Sequence, residues 1–324
     1  MKMGIPTILW AACALTVAGC SSRKCCYEPW ERDVVNEEYV HTYGMQVQPN
    51  DWMARGQNGQ ILLTLRNGVM VTKNYQDGCL EGETAYTFPH SEAIERIETY
   101  SLGNLLKARE HYPSGAPKQE AEYHSSSSHT IRNWYENGAP KSRELYEGNK
   151  LIDADYYTMN NQVESRINDG DGTRVIRDEF SQLVAIDKFN NGELILSTTY
   201  FPNGSPKEEI SYKNGKVDGQ KKLFYPGGDP QAIEGWTENR REGVTIVFHN
   251  GEKISEIPYF NGQKNGIEQR FKDGQFLVEE VTWKYDRKHG PCYTYLGENV
   301  RVDWYYEGKL VTKSQFDRYL NPQL

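Results

Sequence analysis

The chain has 324 residues, with 37 Lys and Arg against 45 Asp and Glu, a formal net charge of −8. That balance excludes the basic footprint by which proteins hold nucleic acid or anionic headgroups, so no nucleic-acid partner is expected. Only 37% of residues are hydrophobic, yet aromatics reach 12%, with 22 Tyr against 10 Phe. This suits a thin sheet, where a Tyr ring is half covered and its hydroxyl reaches water, better than a thick core.

The first element is a leader. Lys2 gives a basic start, residues 5–18 (IPTILWAACALTVA) are apolar, and Val17-Ala18-Gly19-Cys20 follows. So short an apolar stretch reads as a signal peptide over 1–19, not as a membrane span. The small residues ending at Cys20 resemble the bacterial lipobox. The resemblance implies that Cys20 is lipidated and becomes the mature N-terminus; an ordinary secretory signal with a chance Cys is the alternative. Ser21 in place of Asp implies, in that family, the outer membrane of a Gram-negative envelope, with lipid as the membrane attachment. Export permits disulfides. The adjacent pair Cys25-Cys26 reads either as a vicinal or interchain disulfide or as free thiols. Cys79 and Cys292 lie too many repeats apart to meet in an extended array. There is no Cys-x-x-Cys, and no metal is expected.

Residues 20–51 are charged and aperiodic, and read as a lipid-anchored tether or irregular cap. From Trp52 a repeat takes over. Glycine, usually as Asn-Gly or Asp-Gly, recurs about every 23 residues. One series holds Gly68, Gly115, Gly138, Gly204, Gly251 and Gly274; another, offset by half a unit, holds Gly78, Gly215, Gly262 and Gly308. A second glycine follows in the clearest units, as Gly219, Gly243, Gly266 and Gly290. Between glycines the pattern alternates, as in Ile267-Glu268-Gln269-Arg270-Phe271-Lys272. Period-2 segments bounded by Asn-Gly or Asp-Gly predict antiparallel strands joined by turns that need positive φ. Gly→Val at Gly262 or Gly274 should therefore strain a turn by about 1 kcal/mol or more. The same change at Gly172, outside the regular register, should cost less. Ser91–Ile97 is the one segment that reads as a short helix.

Five residues after each second glycine stands Phe224, Phe248, Phe271 or Tyr295. On a meander these stack as an aromatic column on one face, with Lys221, Glu268, Arg270 and Lys272 on the other. The column is the expected inter-repeat core, so Phe271→Ser should cost about 3 kcal/mol or more. The sharper alternative is a column left open as an apolar groove for a partner.

A further signature, aromatic-x-x-Gly-x-Pro, occurs at Tyr112/Gly115/Pro117, Tyr135/Gly138/Pro140, Phe201/Gly204/Pro206 and Tyr225/Gly228/Pro230. With Tyr212/Gly215/Gly219/Phe224/Gly228 and Tyr259/Gly262/Gly266/Phe271/Gly274, the chain resembles the bacterial MORN-like repeat family. The resemblance covers 52–312 in about eleven units and is degenerate at 120–185. It implies an all-β array of antiparallel hairpins, a single-layer twisted meander used as a scaffold or binding surface. At two strands per unit such an array would span roughly 100 Å. Some bacterial members carry an antitoxin label, so an antitoxin-like binding role is one alternative. The remaining residues, 313–324, read as a C-terminal tail.

Catalytic signals are weak. The seven histidines are scattered, and His124/His129 lack the glutamate of a zinc helix motif. Asp169-Gly170-Asp171-Gly172 lacks the downstream glutamate of a calcium loop. No nucleophile elbow, phosphate loop or dinucleotide fingerprint occurs. The expectation is a non-enzyme without cofactor, bound to another protein through its sheet. Trp304-Tyr305-Tyr306-Glu307-Gly308 is similar to choline- or glucan-binding modules, which leaves cell-wall carbohydrate as the alternative ligand.

Overall fold

The computed structural model describes residues 33–321. The leader, Cys20, Cys25 and Cys26 lie outside these residues. The described chain forms two compact units dividing after Thr130. Both are open antiparallel meanders of hairpins, so the fold is all-β.

In the first unit Val34–His41 pairs with Gly59–Leu65, which pairs with Met70–Gln76. Gly82–Thr87, Ile94–Ser101, Asn104–His111 and Pro117–Tyr123 follow, each antiparallel to the last. Among the described residues the sheet thus begins at Val34, not at Trp52. The stretch expected to be an irregular cap supplies this strand, which Gln46–Val47 flanks at Tyr39 and Val40, plus a helix, Pro49–Ala54, whose Trp52 is buried beside Tyr39 and Tyr75. Residues 34–41 carry no turn glycine, and their pairing is decided by non-local partners such as Leu63 and Ile61. Leu63, Leu65, Val69 and Val71 form the apolar cluster here.

No helix forms over Ser91–Ile97. Ile94 and Ile97 pair across the sheet with Thr87 and Ala85, and Ser91 closes a turn onto the Phe88 carbonyl. Cross-strand pairing overrides a weak local propensity.

In the second unit the meander runs without interruption from Pro140–Glu147 to Lys309–Val311. A second cluster, Leu151, Ala154, Tyr156 and Ile167, forms in the stretch where the repeat is degenerate. The presumed tail ends this unit as a helix, Lys313–Leu320. Thr312 and Gln315 cap it reciprocally, and Phe316 is buried against Trp304 and His289.

Two turn types alternate. In Asn261-Gly262 both residues have positive φ and Phe260 pairs with Gln263, the geometry of a two-residue hairpin that matches strand twist. Asp273-Gly274 also has both φ positive, within a three-residue loop between Lys272 and Phe276. The aromatic-x-x-Gly-x-Pro signature makes the other type. The Gly115 N–H donates to Tyr112 O and the Tyr112 N–H to Ala116 O, with equivalent pairs at Tyr135, Phe201 and Tyr225. Pro117, Pro140, Pro206 and Pro230 are each the first residue of the next strand, where the lost donor matters least.

Candidate interaction surface

Every turn glycine named above, from Gly68 to Gly308, lies at positive φ. The second glycines have an additional task. Gly219, Gly243, Gly266 and Gly290 stand directly opposite Trp236, Tyr259, Trp283 and Tyr305 on the adjacent strands. A bare backbone there leaves room for the cross-strand ring, as in aromatic rescue of strand glycines. At Gly266 an added Cβ would also press on Pro258 at 3.0 Å. Gly172 is of the same kind: it faces Phe189, and an added Cβ would stand 2.1 Å from the Arg166 carbonyl oxygen. It belongs to the register after all.

Strand alternation gives the stretch 216–306 two faces. Ala232 and Ser255 both pair with Val247, Ser255 also pairs with Arg270, and Glu268 pairs with Val281, which pairs with Cys292. These residues share one face, with Glu234 and Thr245 beside them. Ala232, Glu234, Thr245, Ser255, Glu268, Val281 and Cys292 are all buried. Phe224, Phe248, Phe271 and Tyr295 follow Leu223, Val247, Arg270 and Thr294 along their strands, so they occupy the opposite face. All four are only half-buried. The aromatic column therefore exists but is not the most buried row. The face expected to be solvated is the better covered one.

That buried row is polar, and the ion chemistry explains how. Glu268, 3% exposed, accepts from Arg270 Nε at 2.7 Å, Trp283 Nε1 at 2.8 Å and Lys264 Nζ at 3.1 Å. Burial opposes its ionisation, but the bonds from Arg270 and Lys264 outweigh that and hold the carboxyl below the ordinary range. Glu234 repeats the arrangement with Trp236 Nε1 and Arg241, each at 2.8 Å. Elsewhere Glu98 is bound by Arg96, Tyr86 and Tyr100, and Glu144 by Tyr146 and Tyr156. Glu120 takes Arg109 and Lys107, which likewise hold it low, and Asp187 takes Arg174. The cations also lie over the rings, Lys264 at 4.6 Å from Trp283 and Arg241 at 5.2 Å from Tyr259. Sequence reading missed these sites because each carboxylate resembles a surface charge. The available signal is its spacing, two residues from an aromatic or Arg on the same face, as in Glu98-x-Tyr100, Glu144-x-Tyr146, Glu234-x-Trp236 and Glu268-x-Arg270.

The opposite face is the one presented to solvent. Lys253 Nζ sits 4.0 Å from the Phe271 ring centre and bonds Glu256. Tyr295 donates to Glu280, which also accepts from Gln269. Around them Val244 and Ile267 are 52% and 54% exposed.

Two sequence candidates resolve into hairpin structure. Asp171 accepts from the Asn191 N–H and from Asn190, and His124 Nε2 shares a hydrogen bond with Thr130 Oγ1. Among the described residues no group of three or more His, Cys, Asp or Glu is placed to hold a metal. Among them, too, no helix is long and apolar enough to cross a membrane.

A family model described as MORN repeat variant matches residues 193–214, the hairpin Glu193–Tyr200 with Pro206–Lys213. No curated protein matches the chain. Among solved structures, TcdB2-TccC3 without its hypervariable C-terminal region is 10% identical at a TM-score of 0.21. That match covers 85% of this chain, which spans only 22% of the other. BamB from Moraxella catarrhalis is 9% identical at a TM-score of 0.15, covering 76% of this chain and 81% of that one. Neither likeness bears on function. The matched hairpin and the meander of like hairpins around it support a MORN-like repeat protein, and a MORN repeat suggests a repeat-type binding or scaffold role.

Proposed function

We propose that this chain is a non-catalytic scaffold of the bacterial envelope, held to the outer membrane by lipid on Cys20, whose sheet docks another protein. The observation that carries the docking is the half-open aromatic and aliphatic face of Val244, Phe248, Ile267, Phe271 and Tyr295. Apolar area of this kind, interleaved with Lys253, Glu256 and Glu280, matches the mixed composition of protein–protein interfaces. The lipid rests on the sequence 17–20.

One experiment tests both parts. A photo-crosslinking amino acid replaces Ile267 in intact cells, with and without Cys20→Ala. The expected result is a discrete protein adduct on membrane-associated wild type, and an unprocessed precursor in the Cys20→Ala strain. Absence of any adduct at Ile267, with adducts formed from the buried-row face instead, would overturn the docking face. A soluble mature protein beginning at another residue would overturn the anchor.

A further inference from the structure

Among the described residues, the register of the second unit leaves one step of the sheet unfilled. A row of backbone positions recurs at Ile233, Glu256, Glu280 and Val302. Ile233 pairs with both Lys222 and Ile246, Glu256 with Ile246 and Gln269, and Glu280 with Gln269 and Tyr293. Val302 pairs with Tyr293 and, among the described residues, with nothing on its other side.

The direction of its hydrogen-bonding groups follows from the turn. Gly297-Glu298 is a two-residue loop, so Leu296 and Asn299 bond each other, and alternate residues after Asn299 turn inward. Val300 and Val302 therefore aim their N–H and C=O groups outward. The closing strand Lys309–Val311 reaches only Trp304–Tyr306. The C-terminal helix likewise seats Phe316 on Trp304 and Tyr306, so among the described residues the cover stops at Trp304. Beyond it Val300 and Val302 are 51% and 41% exposed. Residues 299–303 contain no Lys or Pro, the usual guards of an open edge.

We infer that the edge Asn299–Asp303 accepts an extended segment of the partner protein as an added antiparallel strand. Two features define that segment. Its residues on the Val300 and Val302 side are apolar, because they would cover two half-exposed valines. Interior strands place Ile246 and Tyr293 at this step, and elsewhere Lys222 and Gln269, which face Ile233 and the Glu256–Glu280 pair instead of valine. Its residue opposite Arg301 is a carboxylate. Arg270, in the same lateral row as Arg301, bonds Glu279 on the next strand at 2.7 Å, whereas among the described residues Arg301 bonds Asp303 on its own strand alone. Main-chain bonds supply affinity and the alternate side chains selectivity. The inference rests on the scaffold reading above but uses a different surface from the Ile267 face.

The probe is a labelled peptide with the sequence of Gly243–His249 carrying Val247→Glu, since Val247 and Ile246 meet Ala232 and Ile233 at the equivalent step. Fluorescence anisotropy with the full chain should show saturable binding. Val302→Pro should abolish it, because the lost N–H faces outward and serves no internal bond. Arg301→Glu should weaken it about fivefold, and a Val247→Lys peptide should recover that loss on the Arg301→Glu protein.

Unchanged binding to Val302→Pro, or failure of the wild type to bind, overturns the inference. Equal affinities across the charge swap overturn the assigned side chain. Self-association of the wild type that Val302→Pro abolishes would give the edge to a second copy and overturn the foreign partner. If the Ile267 adduct survives while the peptide does not bind, only the edge inference falls and the scaffold reading stands.

Discussion

Glu268→Gln is the change that most directly probes how this sheet holds together. The native carboxylate is buried and accepts from three donors, Arg270 Nε, Trp283 Nε1 and Lys264 Nζ. Glutamine keeps the shape but offers one oxygen and places an amide N–H₂ against at least one donor. Charge-assisted bonds contribute about 1.5–3 kcal/mol each, and leaving a buried donor unsatisfied costs about 1–3. Arg270 is 42% exposed in its side chain and Lys264 26%, so water recovers part of their loss. A net cost of about 2–3 kcal/mol is expected, centred on Trp283. Urea denaturation followed by hydrogen exchange on Gly266–Lys272 and Phe276–Lys284 measures it. Because the folded pKa of Glu268 is depressed, its contribution is complete above the unfolded value near 4.3 and is lost as pH falls through the folded value. The gap between wild type and Glu268→Gln should therefore be constant at neutral pH and close below about pH 4. A cost under about 0.5 kcal/mol, the size of a surface pair, or a gap that persists in acid, would refute the ion-site account.

The remaining expectations concern the turns and the aromatic column. Gly172→Val should cost about 3 kcal/mol or more, because φ is +149° and the new Cβ meets a backbone oxygen at 2.1 Å. Gly262→Val, at φ +84° with no atom within 4 Å, should cost about 1 kcal/mol. Thermal melts of the two variants should keep that order, and the reverse order would mean the turn geometry is misassigned. Phe271→Ser, half-buried beneath Lys253, should lose about 1–2 kcal/mol instead of the 3 expected for a core ring. Denaturant midpoints below those of Glu268→Gln would return the column to the core.

The period and the turn chemistry were legible because glycine at positive φ is a local requirement that few other residues meet. Asn261-Gly262 and the Tyr225-to-Pro230 loop declare their geometry without knowledge of their neighbours. The ends of the array were not legible for the opposite reason. Val34–His41 has no turn glycine and becomes a strand only because Leu63 and Ile61 lie opposite it. The C-terminal helix is fixed by a Thr312–Gln315 capping box, visible in principle, and by Phe316 meeting Trp304, which is not. The aromatic column was read with the right residues but as the better covered face. Alternation divides Phe271 from Glu268 correctly, yet which side is covered depends on cross-strand neighbours such as Trp283.

A polar buried row also answers a problem peculiar to repeats. Strands of nearly the same length and pattern follow one another, and a one-residue slip moves every side chain to the other face. An apolar row opposes such a slip only through the burial it would lose, as Val281 would. Glu268 does not tolerate it. Displaced by one residue, its carboxylate leaves the Trp283 indole N–H and the Arg270 guanidinium without an acceptor, and the Trp283 ring leaves the bare backbone of Gly266. The same holds for Glu234 with Trp236 and Arg241, one of them opposite Gly219. Each site thus penalises misregister locally by the desolvation of unpaired groups, independently of its neighbours along the array. The other face is thereby free of the task of holding the register, which is the condition for leaving Phe248, Phe271 and Tyr295 half open.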